Sequence, residues 1–557
     1  LEARQAKELR VPHRHNNFPR KPLGIRPLEP GSGANRKDSR QAEGAALSMT
    51  LRATRGISQI LLGSTVQTLL RFGVIGILAR HLTPADFGVV AAAMIIVSIV
   101  DLEGALGVAP ALIQRKELEP RHIETGQSLA LAVAALLGGS LYLASDFVAD
   151  LLSIPQSASA LHVLCLVVFL RTAVSVPEAM IYRTLQFRKL AATQVASYCI
   201  GYAIVGVGLA MMSFGYWSLV YAEVAQALAL SLLYVWQSRP SPRLGFDRLT
   251  ARELLDFGLS LSAAKVMRQV IFSIDQAVVA RLFGPTQLGL YVRAQSTTFR
   301  PINALGGALE SVIFPMMSTI QHDTERVNTV FARGMSAYFA FISPVVATSA
   351  ILSNEIIYIL LGSGWTEAAL LMQLLAAGFF CRTANRLCAT ILKARGRALW
   401  LLLLQIEHVV IVSTCILAGS QFGVRGVAVG MSASQFLHLL SGIILVLWET
   451  KGGWRPLCRT LLGTAPIAVG PVLLGLAGHV ALVALGAPWF VAFTLTCAIV
   501  VLSWLTTIML IPVQTLGEHG PWLLQSLSKF VPSRLPKSAI LRAWIARSPT
   551  AEMQGQS

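Results

Sequence analysis

Charged residues are scarce in this sequence: Asp, Glu, Lys and Arg make up 13% of its 557 residues, against 54% hydrophobic residues. A soluble chain carries nearer ~25% charged residues, so the shortage excludes an ordinary soluble globule. Carboxylates are the scarcer sign, 28 against 46 Lys and Arg, which leaves a formal charge of +18. Such an excess points to nucleic acid when the cations form a stripe interleaved with stacking aromatics. Here they sit in short loops and tails, or inside apolar runs, and no nucleic-acid partner is expected. The seven cysteines include no CxxC pair, so neither a metal site nor a disulfide framework is expected. Six of them, Cys165, Cys199, Cys381, Cys388, Cys415 and Cys497, lie in or beside apolar runs and read as small packing residues. A phosphate-binding P-loop, an HExxH motif and a nucleophile, His and Asp arrangement are also missing. These absences argue against an enzyme and against a cofactor, and leave ion, voltage or substrate gradients as the energy source for any work done.

What the chain has instead is apolar runs of about 20 residues, long enough to cross the hydrocarbon of a bilayer. Fourteen are expected, near 57–80, 86–109, 127–148, 158–180, 190–213, 215–237, 254–283, 287–317, 330–352, 366–391, 399–419, 423–447, 460–483 and 487–511. The fold class follows: an all-α, polytopic membrane protein. Residues 1–48 carry no apolar period and read as a disordered basic tail without a signal-peptide core; Met49 is the expected native start. Residues 513–557 form a basic tail with Lys529, Arg534, Lys537, Arg542 and Arg547. With the N-terminus cytoplasmic, the basic clusters fall in inside loops: Arg115, Lys116 and Arg121; Arg183, Arg188 and Lys189; Arg239, Arg243, Arg248 and Arg252; Lys393, Arg395 and Arg397; and Lys451, Arg455 and Arg459. Arg80, Arg281 and Arg425 stand at the margins of outside loops. The positive-inside rule therefore places both termini in the cytoplasm of a cell inner membrane, with Trp217, Trp365, Trp448 and Trp489 as interfacial aromatics.

The chain also repeats. Ala79, Arg80, Pro84 and Gly88 read ARxxxPxxxG, and the pattern returns as Ala280, Arg281, Pro285 and Gly289, an offset of 201 residues. Each copy joins the first two spans of a six-span half, which gives an N-lobe at 49–250 (spans 1–6), a C-lobe at 251–450 (spans 7–12) and accessory spans 13 and 14 at 451–512. An even number of spans per half keeps both halves in one orientation, so their symmetry axis runs along the membrane normal, with a cavity between the lobes. The motif itself reads as an outer hairpin whose Arg snorkels to headgroups.

Ionisable groups at mid-membrane cost about 2.5–3.5 kcal/mol each even on a lenient scale, so they should face a cavity or a partner. Spans 7 and 8 carry Lys265, Arg268, Asp275, Arg293, Arg300, Asn303 and Glu310. By helical spacing Asp275 and Arg293 should pair near the outer third, leaving Lys265, Arg268 and Arg300 as a cationic centre. Arg71, Arg171, Glu178, Glu223, Arg333, Arg382, Arg386, Glu407 and His408 interrupt other spans; Arg171 with Glu178, and Arg382 with Arg386, share faces. Substrate binding is assigned to Lys265, Arg268, Arg300, Arg293, Asn303, Arg71 and Arg171, and ion coupling to Asp275, Glu310, Glu178 and Glu223. Asp101 and Glu103 close span 2 at the cytoplasmic side.

The segments GVAPALIQRKELEP (107–120), LQFRKLA (185–191), GYWSLV (215–220), FGPTQLGLYVRA (283–294), VIFPMMSTIQ (312–321) and LLGSGW (360–365) resemble the Wzx-type polysaccharide flippases of the multidrug, oligosaccharidyl-lipid and polysaccharide exporter superfamily. The resemblance implies about 14 transmembrane helices in two six-helix lobes plus two C-terminal helices, alternating access, and export of an undecaprenyl-pyrophosphate-linked oligosaccharide. It also implies membrane lipids, a polysaccharide polymerase and glycosyltransferases as partners. A buried Lys and Arg cluster suits a pyrophosphate that must shed its water to cross. Three other readings stay open: a peptidoglycan-precursor flippase, an exporter of cationic drugs, and a non-transporting scaffold for polysaccharide synthesis.

Overall fold

The computed structural model describes residues 67–101, 107–115, 117–238 and 244–510, all within one compact unit. The tail at 1–48 with Met49, the tail at 513–557, Glu103, Lys116, Arg239 and Arg243 lie outside the described residues. The first half comprises α1 (67–81), α2 (Pro84–Asp101), α3 (Val108–Gln114), α4 (Pro120–Leu143), α5 (Ser145–Leu151), α6 (Gln156–Ala173), α7 (Ser175–Arg183), α8 (Phe187–Tyr198), a π-helical stretch Cys199–Gly206, α9 (Val207–Met211) and α10 (Trp217–Ser238). The second half comprises α11 (Arg248–Ile320), α12 (Thr324–Ile351), α13 (Ser353–Leu361), α14 (Glu367–Ala394), α15 (Ala398–Ser420) and α16 (Gly423–Glu449). Two further helices follow, α17 (Trp454–Ala484) and α18 (Trp489–Leu510).

Among the described residues, ten helical stretches are long and apolar enough to cross a membrane, and α2 is a shorter apolar helix. The chain is thus a polytopic helical membrane protein. Helices also stand at the remaining expected spans, in α1 and in the two arms of α11, where interrupting charges lower the hydropathy. The 73-residue α11 is two helices joined at Gly284, whose φ of 77° and ψ of −176° break the helical path. Glycine accepts that positive φ without a Cβ clash. The matching break before α2 is built differently. Thr83 caps the helix by accepting from the Asp86 amide at 3.3 Å, while the Asp86 carboxylate accepts from the Thr83 amide at 2.9 Å. Pro84 occupies the first helical position, where its missing N–H costs nothing.

The two copies of the repeated motif pack against each other. A Cβ added to Gly88 would lie 1.7 Å from the Pro285 carbonyl oxygen, and one added to Gly289 would lie 1.9 Å from the Pro84 carbonyl oxygen. Only glycine permits that approach, and its reciprocity is what a two-fold axis between α2 and the second arm of α11 produces. Its arginines, both exposed, also bind neighbouring helix ends. Arg80 Nη2 donates to the Ile359 carbonyl in α13 at 3.3 Å, and Arg281 donates to the Leu151 carbonyl at the end of α5. Each half therefore reaches into the short helix of the other. Trp365 departs from expectation: it is buried, its Nε1 donates to the Ala79 carbonyl at 3.0 Å, and its ring meets Phe87 edge-on at 5.2 Å. It plugs the core beside the motif rather than marking an interface with headgroups.

The opposite end of the bundle gathers basic residues onto backbone and carboxylate partners. Arg115 meets Glu253 at 2.8 Å, Arg397 meets Glu449 at 2.7 Å, and Arg183 donates to the carbonyls of Leu112 and Arg115. Asp247 caps α11 by accepting from the Thr250 amide at 3.0 Å and from its hydroxyl. Those bonds hold its carboxyl below the usual carboxylate range.

Candidate functional site

A cavity of about 420 Å³ lies between α1, α2, α6, α8, the π-helical stretch, α10 and both arms of α11. Among the described residues, its walls carry Arg71, Arg171, Arg293 and Arg300 but a single carboxylate, Glu223. That carboxylate is already engaged: Arg171 Nη2 reaches it at 2.9 Å and the Tyr202 hydroxyl donates to its other oxygen at 2.5 Å. Tyr202 owes its position to the π-helical stretch. Such stretches are rare and often occur at functional positions. Here Gly201 admits the close approach of Ala222 and Gln226 on α10, so that α10 can bring Glu223 to the hydroxyl.

Arg71 and Arg293 face aromatic rings instead of acids. Arg71 lies 5.3 Å from the Tyr198 ring centroid and Arg293 lies 4.8 Å from that of Phe87. Both contacts are cation–π interactions, which hold a guanidinium without neutralising it. The Nε atoms of Arg71 and Arg293 are buried with no hydrogen-bond partner. Arg300 stands within electrostatic reach of both other guanidiniums. The rest of the wall is amide and phenol: Gln226, Gln269, Gln276, Tyr198 and Tyr202. Gln276 donates to Gln295 at 2.6 Å and Gln269 to Ser98 at 3.1 Å. Chemically, the pocket offers multidentate N–H donors to an anion and hydrogen-bonding amides to a polyhydroxylated neighbour.

Of the residues assigned to substrate from sequence, four meet in this cavity: Arg71, Arg171, Arg293 and Arg300. Lys265, half-buried, and Arg268, exposed, are not among its lining residues, so the three-member centre of Lys265, Arg268 and Arg300 does not form there. Asn303 accepts instead from Arg386, which also lies 3.9 Å from Glu310, while Thr390 reaches Glu310 at 3.5 Å. This is a separate polar cluster between α11 and α14. The expected pair of Asp275 and Arg293 is absent as well. Asp275 is buried and accepts from Tyr291 at 2.8 Å and Gln295 at 2.7 Å, whereas Arg293 turns to Phe87. Asp275 stands on the first arm of α11, held by its own polar neighbours, and Arg293 stands on the second arm beyond Gly284, at the cavity wall. Between Arg171 and Glu178 the helix turns at Val174, where α6 gives way to α7. Glu178 accepts from Tyr234 at 3.2 Å. Arg382 and Arg386 stay one turn apart on the unbroken α14 and within electrostatic reach of each other, with Arg382 lying over Phe272 at 4.2 Å and Phe299 at 5.1 Å.

Residues 77–370 match the family described as "Polysaccharide biosynthesis protein". Among curated relatives, the chain is 29% identical over 326 residues to the succinoglycan biosynthesis transport protein ExoT of Rhizobium meliloti, a match covering 58% of this chain and 65% of that protein. It thus spans just under two thirds of that relative's length. It is 23% identical to the lipopolysaccharide biosynthesis protein WzxC of Escherichia coli, over 66% of this chain and 76% of that one. In fold it resembles lipid II flippase MurJ in an inward closed conformation, with a TM-score of 0.60 at 12% identity over 80% of this chain and 97% of that one. An inward-facing multidrug resistance MATE family transporter of the MOP superfamily gives 0.55 at 16% identity, over 69% and 94%.

Proposed function

This chain belongs to the polysaccharide biosynthesis protein family, and from that premise we propose that it moves an anionic, lipid-linked saccharide across the cytoplasmic membrane by alternating access between two six-helix lobes. The carrying observation is the convergence of Arg71, Arg293 and Arg300 on a cavity whose one carboxylate is occupied by Arg171 and Tyr202. Three guanidiniums without carboxylates of their own suit a pyrophosphate, which loses its hydration shell on entering the bilayer and needs charge-assisted donors in exchange. The amide wall beside them suits the first sugars, while the lipid tail stays in the hydrocarbon. An exporter of cationic drugs fits this wall poorly, because like charges repel.

We place the end carrying the ARxxxPxxxG turns outside and both termini inside, because the basic loops collect at the opposite end. Fourteen crossings follow from that placement, with α17 and α18 accessory to the repeat. Outward movement of the anion is then favoured by a membrane potential that is negative inside, about 2.3 kcal/mol per charge per 100 mV, less the share cancelled by bound cations.

Replacing Arg71, Arg293 or Arg300 with Gln removes a charge-assisted hydrogen bond of about 1.5–3 kcal/mol. Binding of the pyrophosphate group should fall roughly ten- to hundredfold per substitution. Surface polysaccharide should disappear in the triple variant while the protein still inserts at its normal level. Normal polysaccharide from an inserted triple variant would refute the proposal. Lys265→Gln and Arg268→Gln should be milder.

A further inference from the structure

Between α15 and α16, away from the central cavity, lies a second set of ionisable side chains. Glu407 and His408 stand on α15; Gln435, His438 and Ser441 stand on α16. His438 Nδ1 is 3.1 Å from a Glu407 oxygen, and Ser441 donates to the other oxygen at 2.6 Å. The rings of His408 and His438 are stacked, with centroids 3.9 Å apart and planes within 4°. On the far side, Gln435 Nε2 lies 3.2 Å from His408 Nε2. Both imidazoles are buried, and only Glu407 reaches the rim, its side chain 32% exposed. Each helix passes these residues near its middle. Glu407 is nine positions from the start of α15, and a rise of about 1.5 Å per residue puts it well over 10 Å from the helix end.

The arrangement has the chemistry of a site for one proton. Two imidazolium rings in a parallel stack repel strongly where water is scarce, so the pair holds a single charge. Of the two rings, His438 is the one with a carboxylate within hydrogen-bond distance, at 3.1 Å, whereas His408 Nε2 meets the Gln435 amide at 3.2 Å. The guanidinium of Arg382, which reaches the His408 ring from α14, opposes a charge there. His438 is therefore the carrier. With the proton, Glu407 and His438 form a neutral ion pair; without it, a lone carboxylate remains at mid-membrane, a costly state. Loading and unloading move the cluster between net charges of 0 and −1, with no other bond made or broken. Groups facing it from the packed helices are Arg382 on α14 and, one step beyond, the buried Asp275 on α11, which acts on Arg382. Among the described residues the other carboxylate and imidazole pair is His479 with Glu355 at 3.6 Å. It lies close to the ends of α17 and α13 and offers no mid-membrane station.

We infer that Glu407, His438 and His408 form a membrane-embedded proton-binding site through which the transport cycle draws on the proton gradient. The coupling role rests on the transport reading above; the proton site stands on its own geometry. Histidine ¹⁵N spectra of the full chain in lipid nanodiscs test the site directly. His438, assigned by loss of its signal in His438→Gln, should gain and lose a proton as the pH is varied, and Glu407→Gln should move that transition, because the carboxylate beside the ring favours its charged form. A silent His438, or a midpoint unmoved by Glu407→Gln, overturns the site. In proteoliposomes supplied with undecaprenyl-pyrophosphate-linked oligosaccharide, an opposing proton gradient should speed wild-type movement severalfold. Glu407→Gln and His438→Gln should abolish the acceleration while leaving movement without a gradient. Variants that keep the full acceleration overturn the coupling. If the wild type moves no such saccharide, the substrate reading fails instead, and the titration alone decides the proton site.

Discussion

The contact between the two copies of the motif allows a sharp test with the smallest of perturbations, Gly88→Ala. The added methyl carbon would start 1.7 Å from the Pro285 carbonyl oxygen and 2.5 Å from its carbon. Real carbon and oxygen atoms approach no closer than about 3 Å, so α2 and the second arm of α11 must part by more than about 1 Å. Backbone blocks the way, with no flexible side chain to swing aside. The cost therefore belongs at the upper end of overpacking penalties, about 3 kcal/mol. Gly289→Ala presses on Pro84 from the other side of the same crossing, at 1.9 Å, and should cost as much. Because one separation relieves both clashes, the double variant should lose far less than the sum, leaving a coupling of about 2 kcal/mol. The assay is reversible unfolding of the purified protein in mixed micelles of rising denaturing-detergent fraction, followed by helical circular dichroism. Two single substitutions that cost nothing, or a double variant whose loss is additive, would refute the shared-crossing geometry.

Two further outcomes follow from the same structure. Breaking a buried ion pair costs about 3–5 kcal/mol; Arg171 and Glu223 border a cavity with side chains 25% and 11% exposed, so Glu223→Gln should destabilise by nearer ~2 kcal/mol. Arg171→Gln/Glu223→Gln should recover part of that loss in the same unfolding assay, and a strictly additive double variant would show the pair to be energetically idle. Asp247, held below the usual carboxylate range by Thr250, contributes stability above its unperturbed value that fades as pH falls through its lowered one. Asp247→Asn should flatten this acid-side loss, measured as the unfolding midpoint between about pH 5 and pH 2.5; an unchanged slope would remove the cap from the account.

The architecture was legible because membrane helices announce themselves by composition: every break in hydropathy recurs as a helix end, and the ARxxxPxxxG repeat marked the α1–α2 turn and the Gly284 kink alike. The site was legible only in part. Charge in an apolar run is conspicuous anywhere, and it drew attention to Arg71, Arg171, Arg293 and Arg300, which line the cavity. The partner of a charge was harder to read: similar depth on antiparallel spans 7 and 8 did not bring Asp275 to Arg293, because Tyr291 and Gln295 hold the carboxylate and Phe87 holds the guanidinium. Tyr198, Tyr202, Gln226, Gln269 and Gln276 passed unnoticed because amides and phenols barely dent a hydropathy run. Amide-bearing positions inside otherwise apolar spans were the available signal. For Arg80 and Arg281 a span margin suits both headgroups and a neighbouring helix end, and the contact with the helix end shows only in the tertiary fold.

The same offset that reveals the repeat also shows what the repeat leaves out. Moving 201 positions along from Arg71, Arg171 and Glu223 lands on Phe272, Met372 and Val424; moving back from Arg293 and Arg300 lands on Ala92 and Ile99. Glu407 and His438 land on Gly206 and Gln237. Motif positions that set how the halves cross are thus duplicated, while the buried charges are not. Packing tolerates little change once two backbones are in contact, so Pro84, Gly88, Pro285 and Gly289 constrain one another. A charge needs only a cavity or a partner, and either half can supply it alone. Two near-identical halves present equivalent walls and cannot separate an anion path from a proton path. Here Arg71 comes from the first half, Arg293 and Arg300 come from the second, and the carboxylate and imidazole pair belongs wholly to the second. On the transport reading proposed above, this asymmetric distribution of charge would give an anion path and a proton path different places in one bundle.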